Sequence, residues 1–211
     1  QNNLGNALHD SGAHDQAVKH YRRAIEINPN YAESYNNLGI ALSNQGNSKE
    51  AIKYYKHALK IKHTYIEVLN NLGNAQKDLG KFNASIDSFK KALMIKPNFA
   101  EAHNNLGLTF HAQHDLEKAI KCFKNAIKYN EAYSEAYNNL GNAQQDYGNL
   151  NQALQNYKRA IKINPNYAEA YNNMGVVQND KGTIGDAVEN YKRAIKIDPK
   201  HTEAYRHLAN L

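Results

Sequence analysis

Six glycines, Gly5, Gly39, Gly73, Gly107, Gly141 and Gly175, stand 34 residues apart in a chain of 211. A fixed period in this range marks a stacked-repeat protein, and it outweighs what length alone suggests about domain number. The chain therefore reads as a single array over 1–211. Its units are a truncated repeat over 1–31, full repeats over 32–65, 66–99, 100–133, 134–167 and 168–201, and the start of a further helix over 202–211. With Gln1 and Leu211 both falling partway into a unit, the array is expected to be a piece of a longer protein.

Other columns keep the register. A second glycine follows seven residues later at Gly12, Gly46, Gly80, Gly148 and Gly182, with His114 in its place once. Small residues occupy Ala17, Ala51, Ser85, Ala119, Ala153 and Ala187, and aromatics occupy Tyr21, Tyr55, Phe89, Phe123, Tyr157 and Tyr191. Alanine holds positions 24, 58, 92, 126, 160 and 194. The spacing predicts two helices per unit. Helix A carries apolar residues at helical intervals, as in Tyr137, Leu140 and Ala143. The second glycine ends it, because a left-handed residue past a helix end costs glycine nothing, and histidine is a tolerable substitute. Helix B, as in Asn151 to Ile163, is stopped by Pro29, Pro97, Pro165 or Pro199, with His63 and Glu131 in the other two units.

These columns resemble the tetratricopeptide repeat over the whole chain. Leu140, Gly141, Gly148, Ala153, Tyr157, Ala160 and Pro165 carry the resemblance in one unit. The aromatic that often begins helix A is present at Tyr35, Tyr137, Tyr171 and Tyr205, but Leu69 and His103 replace it between them. The resemblance implies an all-α fold, a right-handed α-solenoid of stacked antiparallel helix pairs. It also implies a concave groove lined by A helices, in which family members bind peptides or other proteins.

Each helix A carries an Asn-Asn pair, twelve asparagines at 2–3, 36–37, 70–71, 104–105, 138–139 and 172–173. Asparagine inside a helix costs roughly 0.5 kcal/mol against alanine. Twelve together cost about 6 kcal/mol, comparable to the net stability of a small domain. Something must offset that, or function must require it. The second member of each pair gives a column at Asn3, Asn37, Asn71, Asn105, Asn139 and Asn173. An amide offers a donor and an acceptor, which suits the main chain of an extended peptide. The column resembles the asparagine ladder of the O-GlcNAc transferase family, which implies peptide binding through the main chain. The other reading is architectural, with amides tying neighbouring helices together. Both stand at this point.

Three residues further on, the chain alternates Asn6, Ile40, Asn74, Leu108, Asn142, Val176, a 68-residue period. Asp10, Asp78 and Asp146 follow the same alternation against Asn44 and Ala112, and Asp180 breaks it. One expectation is that polar and apolar sub-sites alternate along the groove; the other is descent from a duplicated repeat pair.

The net charge of +6 raises nucleic acid as a partner. Its lysines and arginines crowd helix B, whereas helix A carries a column of glutamates at 33, 67, 101, 135, 169 and 203. The groove should be neutral to acidic, and no aromatic platforms interleave the basic residues, so no nucleic-acid partner is expected. No membrane partner is expected either, since no apolar run approaches a span. Cys122 is the only cysteine, so no internal disulfide is possible, and the sequon at Asn83 places its serine in the small-residue column. No metal, cofactor or catalytic set assembles from the ten scattered histidines and the carboxylates. The chain reads as a non-catalytic, intracellular, cytoplasmic scaffold that binds a protein or peptide ligand in its groove. The alternative is a substrate-recruiting arm of a larger glycosyltransferase or sulfotransferase. Self-association through uncapped ends is a third expectation.

Overall fold

A computed structural model describes residues 1–211 as thirteen α-helices with no strand. In order they are α1 (Asn2–Asp10), α2 (His14–Ile27), α3 (Ala32–Asn44), α4 (Ser48–Ile61), α5 (Ile66–Asp78), α6 (Phe82–Ile95), α7 (Ala100–Ala112), α8 (Leu116–Tyr129), α9 (Ser134–Asp146), α10 (Leu150–Ile163), α11 (Ala168–Asp180), α12 (Ile184–Ile197) and α13 (Thr202–Ala209). Odd-numbered helices are A helices and even-numbered ones are B helices. The chain groups into two compact units, 1–109 and 110–211, with the division inside α7.

In the first unit, α1 to α6 pack each against the next, and α1, α3 and α5 also touch in succession. The second unit repeats this with α8 to α13, where α9, α11 and α13 touch in succession. Each unit is thus a stack of helix pairs, an α-solenoid arrangement. The first core joins Ala17, Tyr21, Leu38, Ala41, Ala51, Tyr55, Ala58, Val68 and Leu72. The second gathers Ala153, Tyr157, Met174 and Val177. Burying each such aromatic contributes roughly 2–3 kcal/mol.

The first glycine column exists because the B-helix ring lies directly on it. A Cβ added at Gly39 would stand 2.5 Å from Tyr55 Cε1, and one at Gly73 2.6 Å from Phe89 Cε1. The second column ends helix A in a left-handed residue. Gly46 has φ +79°, and the amides of Gly46 and Asn47 return to the carbonyls of Ser43 and Leu42 at 2.9 Å each. His114 takes φ 59° at the equivalent place, the only non-glycine residue with positive φ.

Helix B stops without needing proline. Lys62 and Asn130, which precede His63 and Glu131, are as extended (φ −131° and −145°) as Asn28 and Asn164, which precede prolines. At Asn28, Asn130, Asn164 and Asp198 the side-chain oxygen also accepts from the amide two residues on, at 2.9–3.2 Å. Of the two units without proline, that of Asn130 has this side-chain bond at its turn, and that of Lys62 turns in the same backbone conformation on a lysine. Helix B of the middle repeats begins at Leu150 and its equivalents, one residue before the sequence suggested.

Candidate functional site

The asparagine pairs meet at the contacts between successive A helices. In the first unit the second asparagine of each pair donates to the first asparagine of the repeat before. Asn37 Nδ2 reaches Asn2 Oδ1 at 3.3 Å, Asn71 reaches Asn36 at 3.1 Å, and Asn105 reaches Asn70 at 3.1 Å. In the second unit Asn173 reaches Asn138 at 3.2 Å. His207 stands in the same column and makes the same tie, its Nδ1 3.0 Å from Asn172 Oδ1. Asn105 and Asn139 are buried and Asn3 is exposed.

The first asparagines carry the chain of bonds onward. Asn2, Asn70 and Asn138 donate to Glu33, Glu101 and Glu169 at 3.1, 2.7 and 3.2 Å. Asn36 and Asn172 instead donate to their own neighbours, Asn37 and Asn173, at 3.3 and 3.4 Å. Glu33, Glu101 and Glu169 are therefore held by the asparagines. The spacing of 35 residues behind each ladder bond was not visible in the sequence, because it depends on how two A helices lie side by side.

The alternating position has a distinct geometry. Asn6 Oδ1 accepts from the Tyr21 hydroxyl at 3.0 Å and from Asn37 Nδ2 at 3.0 Å. Asn142 Oδ1 accepts from Tyr157 at 2.8 Å and from Asn173 at 3.0 Å. Two donors on each oxygen fix the amide and leave Nδ2, with its two hydrogens, for an outside acceptor. Asn74, half-buried like these two, faces Phe89 in the tyrosine column, which has no hydroxyl to give. Ile40, Leu108 and Val176 are half-buried at the alternate repeats.

Carboxylates stand beside these amides. Asn6, Asp10, Tyr21, Glu33, Asn37 and Ile40 line one open pocket of about 340 Å³, shared by α1 and α3. The Tyr21 phenol is pushed up from its ordinary value, first by burial and then by the charges of Asp10 and Glu33. Tyr157 is pushed up by burial, then by Asp146 and Glu169, so the second unit repeats the arrangement. Asp78 and Asp146 are exposed. Asp146 accepts from His111 Nε2 at 2.8 Å, and Asp78 lies 4.0 Å from the Lys77 ammonium. No three His, Cys, Asp or Glu side chains converge as a metal would require. No helix is long and apolar enough to cross a membrane. The serine of the sequon, Ser85, is fully buried and shares a hydrogen bond with Thr109 at 3.2 Å.

The family model described as TPR repeat matches residues 5–46, 73–114, 146–182 and 179–211, and that of the tetratricopeptide repeat matches 32–65 and 100–133. The chain belongs to the tetratricopeptide repeat (TPR) family. TPR arrays are scaffolds for protein–protein interaction. Among solved structures, MamA is 30% identical, covering 79% of this TPR chain and 97% of its own, with a TM-score of 0.67. YrrB, described as a TPR protein with an unusual peptide-binding site, is 26% identical, covering 90% of this chain and 98% of its own, with a TM-score of 0.65. Cut9, in the APC/C hetero-tetramer Cut9–Hcn1, is 18% identical with a TM-score of 0.85, over 98% of this chain and 41% of that one, which shows the fold alone. No curated protein sequence matches the chain.

Proposed function

We propose that this TPR array is a peptide-binding module that takes an extended segment along its A helices by the main chain. One observation carries the proposal: the amides of Asn6 and Asn142 are held through their oxygens, which turns an NH2 donor toward any ligand on that face. A backbone carbonyl is the acceptor that every extended peptide supplies, whatever its side chains. Asn71 and Asn105 contribute more weakly, each with one amide hydrogen beyond its inter-repeat tie. Asn37 and Asn173 support these donors, Asn3 and Asn139 continue the column, and Asn74 adds a further amide. The carboxylates of Asp10, Glu33, Asp78 and Asp146 favour a peptide that carries basic side chains. YrrB, a TPR relative with a peptide-binding site, lends support from outside the chain.

The test is a labelled library of twelve-residue basic peptides, followed by backbone editing of the best binder. Replacing alternate amide bonds by esters weakens the carbonyl acceptors and leaves the side chains alone. Binding should fall at least tenfold, the ester series should be worse than a side-chain scramble, and the side-chain NH2 resonances of Asn6 and Asn142 should move on titration. A binder indifferent to ester replacement but abolished by scrambling would sink main-chain recognition.

A further inference from the structure

In the first unit a second cleft opens between α4 and α6 over α5, with a volume of about 460 Å³ and none of its lining shared with the asparagine pocket. Its floor is Leu59, Leu69 and Leu72, and three lysines, Lys56, Lys60 and Lys91, stand on its rim with Asp87 as the acid among them. The volume lies in the range that takes large side chains of a ligand.

The cleft exists because two positions shrink together and a third exchanges a ring for a flexible lysine. In the preceding repeat the corresponding residues are Tyr35, Tyr54 and His57. Tyr35 stacks on His57 with ring centroids 5.6 Å apart and lies 6.4 Å from Tyr54, which fills the space with rings. In the second unit Arg159 lies over Tyr137 and Arg193 over Tyr171, each at 5.8 Å from the ring centre. At the repeat of α5 and α6, Leu69, Ser88 and Lys91 stand in those places. Leucine and serine fill less of the space than the two tyrosines do, and the Gln76 amide, itself part of the lining, donates to the Ser88 hydroxyl at 2.7 Å. What is left is a cleft with a cationic rim and a leucine floor, in which Leu69 and Leu72 are 5% and 6% exposed and Leu59 is half-buried.

From this geometry we infer a second docking site, for an acidic amphipathic peptide that seats a leucine or phenylalanine on Leu59, Leu69 and Leu72 and sets carboxylates against Lys56, Lys60 and Lys91. Charge complementarity decides the occupant: three ammonium groups against one carboxylate around an apolar floor suit a segment with apolar anchors and flanking acids. The site is independent of the asparagine face, whose carboxylates select the opposite charge.

The experiment uses two labelled peptides, one with leucine or phenylalanine at i, i+3 and i+7 and glutamate elsewhere, and the same peptide with lysine for every glutamate. The acidic peptide is expected to bind, to weaken as salt rises, and to outbind the lysine version at least tenfold. Leu69→Tyr with Lys91→Arg rebuilds the tyrosine–arginine pair of the later repeats and should lower affinity at least tenfold. Lys56→Glu with Lys60→Glu, on exposed positions that leave the core alone, should do the same without closing the cleft. Asn6→Ala should leave this binding unchanged. Three results would each overturn the site: no binding of the acidic peptide, equal binding by the rebuilt variant, or vesicles of anionic phospholipid competing as well as the peptide does.

Discussion

The hydroxyl of Tyr157 on helix B donates to the side-chain oxygen of Asn142, fifteen residues earlier on helix A of the same repeat, at 2.8 Å. Tyr21 and Asn6 repeat the relationship in the first repeat. The ring alone cannot be the reason for tyrosine, since Phe89 fills the same column fully buried. Tyr157→Phe should therefore keep the packing and lose the donor, destabilising by about 1 kcal/mol. The reciprocal change, Phe89→Tyr, supplies Asn74 with the hydroxyl it lacks and should stabilise by up to about 1 kcal/mol. Urea unfolding of both variants checks the pair; an unchanged midpoint for Tyr157→Phe would mean that Asn142 is not held.

The ladder bond between Asn71 and Asn36 sets two effects against each other. Removing the amide in Asn71→Ala gains roughly 0.5 kcal/mol of helix propensity. It also strands the oxygen of Asn36, a residue only 6% exposed, at about 1–3 kcal/mol. The second effect is larger, so Asn71→Ala should destabilise by about 1 kcal/mol. A double-mutant cycle with Asn36→Ala should show a coupling of similar size. Zero coupling would return the ladder to ligand binding alone as the reason for its asparagines.

Much of this was legible in the sequence, and the parts that were not share a cause. Gly39, Gly46, Ala58 and Tyr55 announce their roles because each column reports contacts inside one repeat, which the 34-residue period fixes. The ladder column was legible as a column, but its bonds were not: Asn71 to Asn36 crosses between repeats, and only the lateral placement of α3 and α5 decides which amide meets which. The alternation of Asn6, Ile40, Asn74, Leu108, Asn142 and Val176 was visible without its partner. Asn6 and Asn142 have partners in Tyr21 with Asn37 and Tyr157 with Asn173, but these do not explain the alternation, since Tyr55 and Tyr191 stand in the same column opposite Ile40 and Val176. The missing aromatic at Leu69 was visible too, but the cleft needs changes at three positions on two helices, and a one-dimensional register does not show that Leu69, Ser88 and Lys91 share a space.

The left-handed residue at His114 gives a direct comparison with its glycine equivalents. At φ 59° a side chain strains a backbone that glycine adopts freely. His114→Gly should raise stability by about 1 kcal/mol, read as a higher melting temperature. Gly39→Ala should act in the opposite sense. Alanine is the better helix former by about 1 kcal/mol, but its Cβ would stand 2.5 Å from the ring of Tyr55. Overpacking a close-packed core costs roughly 1–3 kcal/mol or more, and here it falls on a ring with no room to retreat. A melting temperature that rose for Gly39→Ala would mean that the ring can move and that the close approach does not explain the column.

Tyr55 is 2% exposed, and burial pushes its phenol up to about 12, with the Asp78 charge adding to the rise and the Ser43 hydroxyl opposing it. A phenol ionises near 10 in the unfolded chain. Between these values the unfolded state has lost its proton and the folded state still holds it, so stability falls as pH rises. The contribution is fully present below pH 10 and is lost as pH climbs toward 12. Two pKa units correspond to about 3 kcal/mol. Other tyrosines, the buried Tyr157 and the half-buried Tyr167 among them, are raised in the same direction, so the wild type should lose stability steeply over this window. Tyr55→Phe removes one of these groups. Its stability relative to wild type should be level from pH 7 to 9 and should then improve by roughly 3 kcal/mol by pH 12. Melts of the two proteins across that range decide it: parallel curves would mean that the Tyr55 phenol ionises as readily in the folded chain as in the unfolded one.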